Sequence, residues 1–257
     1  MKAIDSQASR LGSGNPDESA SQYIVFSHVT QEELSNIDPI RDTNHKRLRF
    51  LYVNEPKALI VTIMPEIAHQ LAAREFGYAF RIKAQEMPLG RALADIGGTR
   101  YRGISSGKEA DGGFKPWSAR PRATDWPTVV CECGVSQSAP HLKADGRWWL
   151  ENSRGQVYTA LLFFVSKFAR TIRIEHWEAK TLPKQMVVQS CRHPLAIIPK
   201  IEAKILIDTH SITGAALELD FQKIFFRAPV VAAGERNFTF TIQDIRDYYE
   251  SVWRVAQ

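Results

Sequence analysis

Cysteine is scarce in this chain: three in 257 residues, Cys131, Cys133 and Cys191. So sparse and odd a set excludes a disulfide framework and fits a reducing compartment. The Cys131-x-Cys133 spacing is wrong for a zinc knuckle, and no second Cys/His pair stands at ligand spacing. Two small buried residues on one face of a strand are expected instead. Long hydrophobic runs are also missing. No apolar stretch approaches the roughly 18 residues of a membrane span, so no membrane partner is expected. The opening residues, MKAIDSQASRLGSGNPDESASQ, lack the apolar segment of a secretory signal, so an intracellular protein of the cytoplasm or nucleus is expected. There is no Walker loop, no Rossmann glycine motif and no G-x-S-x-G elbow, which leaves three common routes to nucleotide binding or acyl transfer without their sequence basis. Neither sign of charge dominates. Thirty-three Lys and Arg face 28 Asp and Glu, a net charge of +5 that is compatible with a nucleic-acid partner without requiring one.

What is present is an ordinary globular composition, 44% hydrophobic and 24% charged, in a chain long enough to bury a sizeable core. Residues 1–21 are polar and rich in Ser, Gly and Asp, and read as a disordered tail. Residues 22–64 read as strands: QYIVFSHV, then a short helix opened by the capping box Thr30/Glu33, then a hairpin, RLRFLYV and KALIVTI, turned at NEP. Pro65 suits the first turn of a helix running to about residue 76, with Ile67, Leu71 and Ala72 on one face. ALADIGG, just before residue 98, reads as a short helix closed by glycine. TRYRGIS (99–105) reads as a strand, and SGKEADGGF as a turn leading into a short strand with Asp111. A proline-rich loop, PWSARPRATDWP, comes next. TVVCECGV (128–135) is a continuous β-type run expected to be buried on both faces. A helix over about 139–151, a buried strand QVYTALLFFV and a half-exposed strand TIRIEHWE complete a core over 65–180. The segment 181–257 reads as a strand-rich extension, with two or three strands around Gly214, then FTF, then a helix capped by Thr241 and Asp244 whose apolar face is Ile242, Ile245, Tyr249, Val252 and Trp253.

Two carboxylates stand out in the middle of the chain. Asp111 and Glu132 fall on or beside successive predicted strands, 21 positions apart. Carboxylates from adjacent strands, about 4.8 Å apart, can converge on one hard cation. In this order, helix, strand, strand with Asp111, loop, strand with Glu132, helix, strand, residues 65–178 resemble the core of the PD-(D/E)XK, restriction-endonuclease-like superfamily. GKEADGGFKP, DWPTVVCECGVSQS, LKADGRWWLENSRGQV and RIEHWE, with the tail GAALELDFQKIFFRAP…FTFTIQDIRDYYESVW, are similar to a group of uncharacterised fungal proteins of that fold, over roughly 65–257.

The resemblance implies an α/β fold, a mixed central sheet flanked by helices, with the N-terminal hairpin packed on the core. It implies Mg²⁺ (or Mn²⁺) held by Asp111, Glu132 and the backbone carbonyl of Cys133, and metal-dependent hydrolysis of DNA. The family's Pro-Asp appears here as Ala110-Asp111. The family's lysine, two residues after the glutamate, is replaced by Gly134, which can neither orient water nor offset phosphate charge. Some members move the basic residue to the following helix, which makes Lys143 the candidate, with Gln137 as a polar substitute. Arg100, Arg102, Lys108, Arg120 and Arg122 are candidate nucleic-acid contacts. The residues also admit plainer roles. Asp111 can cap a turn, Glu132 can pair with Arg102 or Lys108, and Lys143 can be a solvated helix lysine. Glu66 is a possible third carboxylate or a first-turn acid, and His69 is expected to be structural. Trp148 and Trp149 point about 100° apart on a helix, so one of them is expected in the core, while either could stack on a base. The alternative to an enzyme is a catalytically degenerate nuclease-fold module, a binding or assembly protein that uses its C-terminal segment for a partner or a homodimer.

Overall fold

The computed structural model describes residue 6 and residues 23–44, 48–63, 67–97, 99–103, 106–135, 139–181 and 197–255. Three of the candidate positions, Glu66, Gln137 and Cys191, lie outside the described residues.

The chain divides into two units, one of residues 1–67 with 99–110 and one of residues 68–98 with 111–257. In the first, β1 (Tyr23–Phe26), β2 (Leu48–Val53) and β3 (Ala58–Ile63) form antiparallel pairs around the helix-opening box of α1 (Gln31–Asn44). The box forms as its sequence requires. The Glu33 carboxylate accepts from the Thr30 backbone N–H at 2.8 Å, and the Thr30 hydroxyl accepts from the Glu33 N–H at 3.1 Å. Leu34, Leu48, Phe50, Tyr52, Leu59 and Val61 make this unit's own core.

Within the run read as a core strand, TRYRGIS, Arg100–Arg102 form a strand, but its pairing corrects the expected placement. Arg100–Arg102 (β5) pairs with Ser106–Glu109 (β6), and β6 pairs with β2. The Gly103 N–H also donates to the Ser106 carbonyl at 2.7 Å. The strand that takes the expected place in the second sheet is β4 (Leu93–Asp95), read from the sequence as helix. Three residues are too few to carry a period, and pairing with a neighbouring strand overrides local propensity.

The second unit is built on a seven-stranded mixed sheet. Its order is β12 (Ile212–Thr213), β11 (Ile197–Ile207), β10 (Thr171–Thr181), β9 (Thr159–Ser166), β8 (Val129–Val135), β7 (Gly112–Pro116) and β4. Among the described strands of this sheet only β8 and β9 pair parallel, joined through the crossover helix α3 (Ala139–Asn152), as a parallel pair requires. Helix α2 (Ile67–Glu86) runs ten residues past its expected end because Phe76, Phe80 and Ala84 continue the buried stripe. Gly77 lets it approach the sheet closely: a Cβ there would lie 3.2 Å from the Phe114 ring.

One sheet face, with Cys131, Cys133, Leu161, Phe163, Ile172 and Ile174, joins a core shared with α2 and with α5 (Ile242–Val255). The rings of Phe76 and Phe163 stand 5.1 Å apart, and those of Phe80 and Phe238 4.7 Å apart. Burying such a ring stabilises by about 1.5–3 kcal/mol, so these contacts set the layer. The opposite face is covered by α3. Gly146 sits directly over Leu162, where a Cβ would fall 2.9 Å from its side chain. Strand β10 is more buried than its alternation suggested, because both faces are covered. The C-terminal segment is not a separate layer. Leu217, Leu219, Phe221, Ile224 and Phe225, from β13 (Leu217–Leu219) and α4 (Phe221–Phe225), and Phe238 and Phe240 from β14 (Phe238–Phe240) share the α2 core. Among the described residues no helix is long and apolar enough to cross a membrane.

Candidate metal centre

Strands β7 and β8 pair antiparallel with Gly112 opposite Cys131 and Gly113 opposite Val130. One step further along that register, Asp111 comes opposite Glu132. The Asp111 carboxylate is fixed there because its Oδ2 accepts the Cys133 backbone N–H at 2.9 Å. In a strand the N–H and C=O of one residue point to the same side, so the Cys133 carbonyl is directed toward the Asp111 side as well.

Glu132 is 3% exposed. Its Oε1 accepts a hydrogen bond from the Trp149 indole N–H. Trp149, on α3, is fully buried, and Trp148 beside it is half-buried. Trp126, from the proline-rich loop, closes an aromatic trio, 6.0 Å from Trp148 and 5.9 Å from Trp149 between ring centroids. That loop is held by two buried cations. Lys115 donates to the carbonyls of Arg122 and Asp125, and burial pushes its pKa down. Arg120 donates to the carbonyls of Trp126 and Pro127 and lies 4.5 Å from the Phe226 ring centroid.

These placements sort the candidates. Asp111, Glu132 and the Cys133 backbone come together. Arg120 is 8% exposed and engaged within its loop, whereas Arg122 is exposed. Arg100, ion-paired to Glu109 at 2.8 Å, Arg102 and buried Lys108 lie on β5 and β6 of the five-stranded sheet, not in the sheet that carries Asp111. The Lys143 ammonium is 3.9 Å from Glu175 of β10. Two strand spacings, about 10 Å, separate the Glu132 and Glu175 positions. His69 lies within α2. Sequence reasoning missed the Trp149–Glu132 hydrogen bond, Trp126, and the charges of β10. The one available signal was the shared parity of Arg173, Glu175 and Trp177, which puts them on one strand face.

The donors present are two carboxylates and a strand carbonyl, all hard oxygens. That chemistry fits Mg²⁺ or Mn²⁺, which usually keep several waters and need only one or two carboxylates. It does not fit a soft metal. Burial, reinforced by nearby carboxylates, pushes the Cys131 and Cys133 thiols far up, and they face the opposite core. Among the described residues no group of three or more His, Cys, Asp or Glu is placed to hold a metal ion.

No family model matches the sequence, and no curated protein matches it. A solved structure that matches in fold is the crystal structure of "a putative nuclease belonging to DUF820" from Anabaena variabilis ATCC 29413. The match has 14% identity and a TM-score of 0.42, and covers 78% of this chain and 90% of that one. At that identity and score, the chemistry has to be read from this chain's own residues. Its second unit is a mixed α/β sheet flanked by helices, in the order α2, β4, β7, β8, α3, β9 with β8 and β9 parallel, which is the core arrangement the PD-(D/E)XK resemblance implied.

Proposed function

We propose that the second unit is a metal-supported phosphodiesterase acting on DNA, with Asp111 and Glu132 as its acidic pair. The observation that carries this reading is the opposition of the two carboxylates across one strand pair, with Asp111 locked to the Cys133 N–H. Asp111, Glu132 and the Cys133 carbonyl would hold Mg²⁺ or Mn²⁺. When bound, such an ion lowers the pKa of water and offsets charge on the scissile phosphate. The chain's own part is orientation. The Cys133 N–H fixes one oxygen of Asp111, and the Trp149 indole fixes one oxygen of Glu132, so neither acid has to be ordered when a phosphate arrives. The aromatic trio beside Glu132 screens it from bulk water.

A second reading, a module that binds without cutting, is favoured by Gly134 at the usual lysine position and by Lys143 resting at Glu175. One experiment separates them: cleavage of single- and double-stranded DNA and RNA with Mg²⁺ or Mn²⁺, beside Asp111→Asn and Glu132→Gln. Both amides keep a hydrogen-bond acceptor, so the fold is expected to survive. Cleavage by the wild type that both variants lose supports the enzyme. No cleavage by folded wild type under either metal sinks it.

A further inference from the structure

On the α3 face of the sheet, Glu132, Leu162, Glu175 and Lys204 stand in one continuous row across β8, β9, β10 and β11. Beyond the carboxylate end, that row turns basic. Lys143 lies 3.9 Å from Glu175, and Arg173 Nε lies 3.5 Å from the same carboxylate oxygen. The Arg147 guanidinium stands 5.9 Å from the ring centroid of Trp177, whose indole N–H donates to Glu175 at 3.0 Å. Lys204, opposite Glu175 on β11, is exposed. Lys143 and Arg173 thus share one carboxylate that is only 2% exposed, and Arg147 and Lys204 add charge on the same face. That carboxylate neutralises at most one of them. Arg173 Nε is buried and, despite its nearness to Glu175, makes no hydrogen bond, so it is a donor without an acceptor. The side chains of Lys143 and Arg173 remain 38% exposed.

We infer that Lys143, Arg147, Arg173 and Lys204 form a ridge that binds the phosphate backbone of a nucleic acid. The inference deepens the proposed function and, for nucleic acid as the ligand, rests on it. Glu175 is a positioning residue that holds Lys143 and Arg173 toward the same face. Lys143 is thereby a phosphate contact rather than a partner of the attacking water.

The test is fluorescence anisotropy of the full chain with labelled single-stranded and duplex DNA in EDTA, where no cleavage occurs, as a function of salt. Lys143→Gln/Arg147→Gln/Arg173→Gln is expected to weaken binding about tenfold or more and to reduce the salt slope by about 2–3. Lys204→Glu, an exposed change that leaves the Glu175 cluster in place, is expected to weaken it as well, so the result does not depend on the triple variant folding. Arg254→Glu, on α5 over the opposite sheet face, makes the same charge change as Lys204→Glu and is expected to have little effect. The inference is overturned if wild type does not bind at low salt, if Lys204→Glu binds like wild type, if Arg254→Glu weakens binding as much, or if anionic vesicles bind and DNA does not. Binding through the ridge without cleavage would retire the enzyme and keep the ridge. Cleavage with ridge-independent binding would do the reverse.

Discussion

Replacing Trp149 with Phe tests one contact that holds Glu132. The substitution keeps a ring in the α3 core but removes the N–H that donates to Glu132 Oε1. A hydrogen bond to a charged acceptor contributes about 1.5–3 kcal/mol, and removing it leaves a buried carboxylate oxygen short of a donor. The smaller ring adds a cavity cost of about 1 kcal/mol. The expected loss is therefore about 2.5–4 kcal/mol, a fall in Tm of roughly 5–15 °C for a unit of this size. Trp253→Phe is the control. Trp253 is also buried, at 4% exposure, but its indole N–H makes no hydrogen bond, so only the ring volume is lost and about 1 kcal/mol or less is expected. Urea denaturation of both variants, each also in a Glu132→Gln background, completes the measurement. Charge-assisted hydrogen bonds are about twice as strong as neutral ones, so the cost of Trp149→Phe should shrink by about 1 kcal/mol when residue 132 is neutral. Equal costs for Trp149→Phe and Trp253→Phe, or an unchanged cost in the glutamine background, would refute the role given to the indole at Glu132.

Three further outcomes are expected. Burial raises the Glu178 pKa, but His176, 3.4 Å away, and the hydrogen-bonded Lys223 outweigh it and hold the group at about 2, below its ordinary 4.5. Its stabilisation is thus complete above about pH 4.5 and lost as pH falls toward 2. Discounted for the exposure of Lys223, it amounts to about 1–2 kcal/mol, and Glu178→Gln should flatten the acid limb of stability in that window. Gly113→Ala should cost about 2–3 kcal/mol in urea titration, because the added Cβ would lie 2.7 Å from the Val129 carbonyl oxygen, on backbone that cannot give way; a neutral result would mean that β7 is set differently from the geometry described here. Arg120→Ala should cost about 3 kcal/mol and shift tryptophan emission as the loop carrying Trp126 loosens, while Arg122→Ala, an exposed change, should do neither. Matching thermal shifts for the two arginine variants would count against the loop-fastening role of Arg120.

Local signals carried far in this sequence. The Thr30/Glu33 box, the Thr241/Asp244 cap, with the Asp244 carboxylate accepting the Thr241 N–H at 2.7 Å, and the apolar run of β8 all state their structure in a few adjacent residues. The two carboxylates were legible for the same reason, since acids beside apolar strands are costly and conspicuous. Which strand neighbours which was not legible. TRYRGIS pairs with β6 in the five-stranded sheet, and Leu93–Asp95 takes the edge beside β7, because pairing is decided by partners distant in sequence and a three-residue strand carries no period. The partners of the charged groups were hidden likewise. That Glu132 meets the Trp149 indole, and that Lys143 rests at Glu175 rather than beside Glu132, follows from where α3 crosses the sheet. The sequence alone determined most of the elements and the places of two acids beside apolar strands. Only tertiary structure decided what those acids touch, because burial and hydrogen bonding of a side chain are properties of the surfaces brought against it.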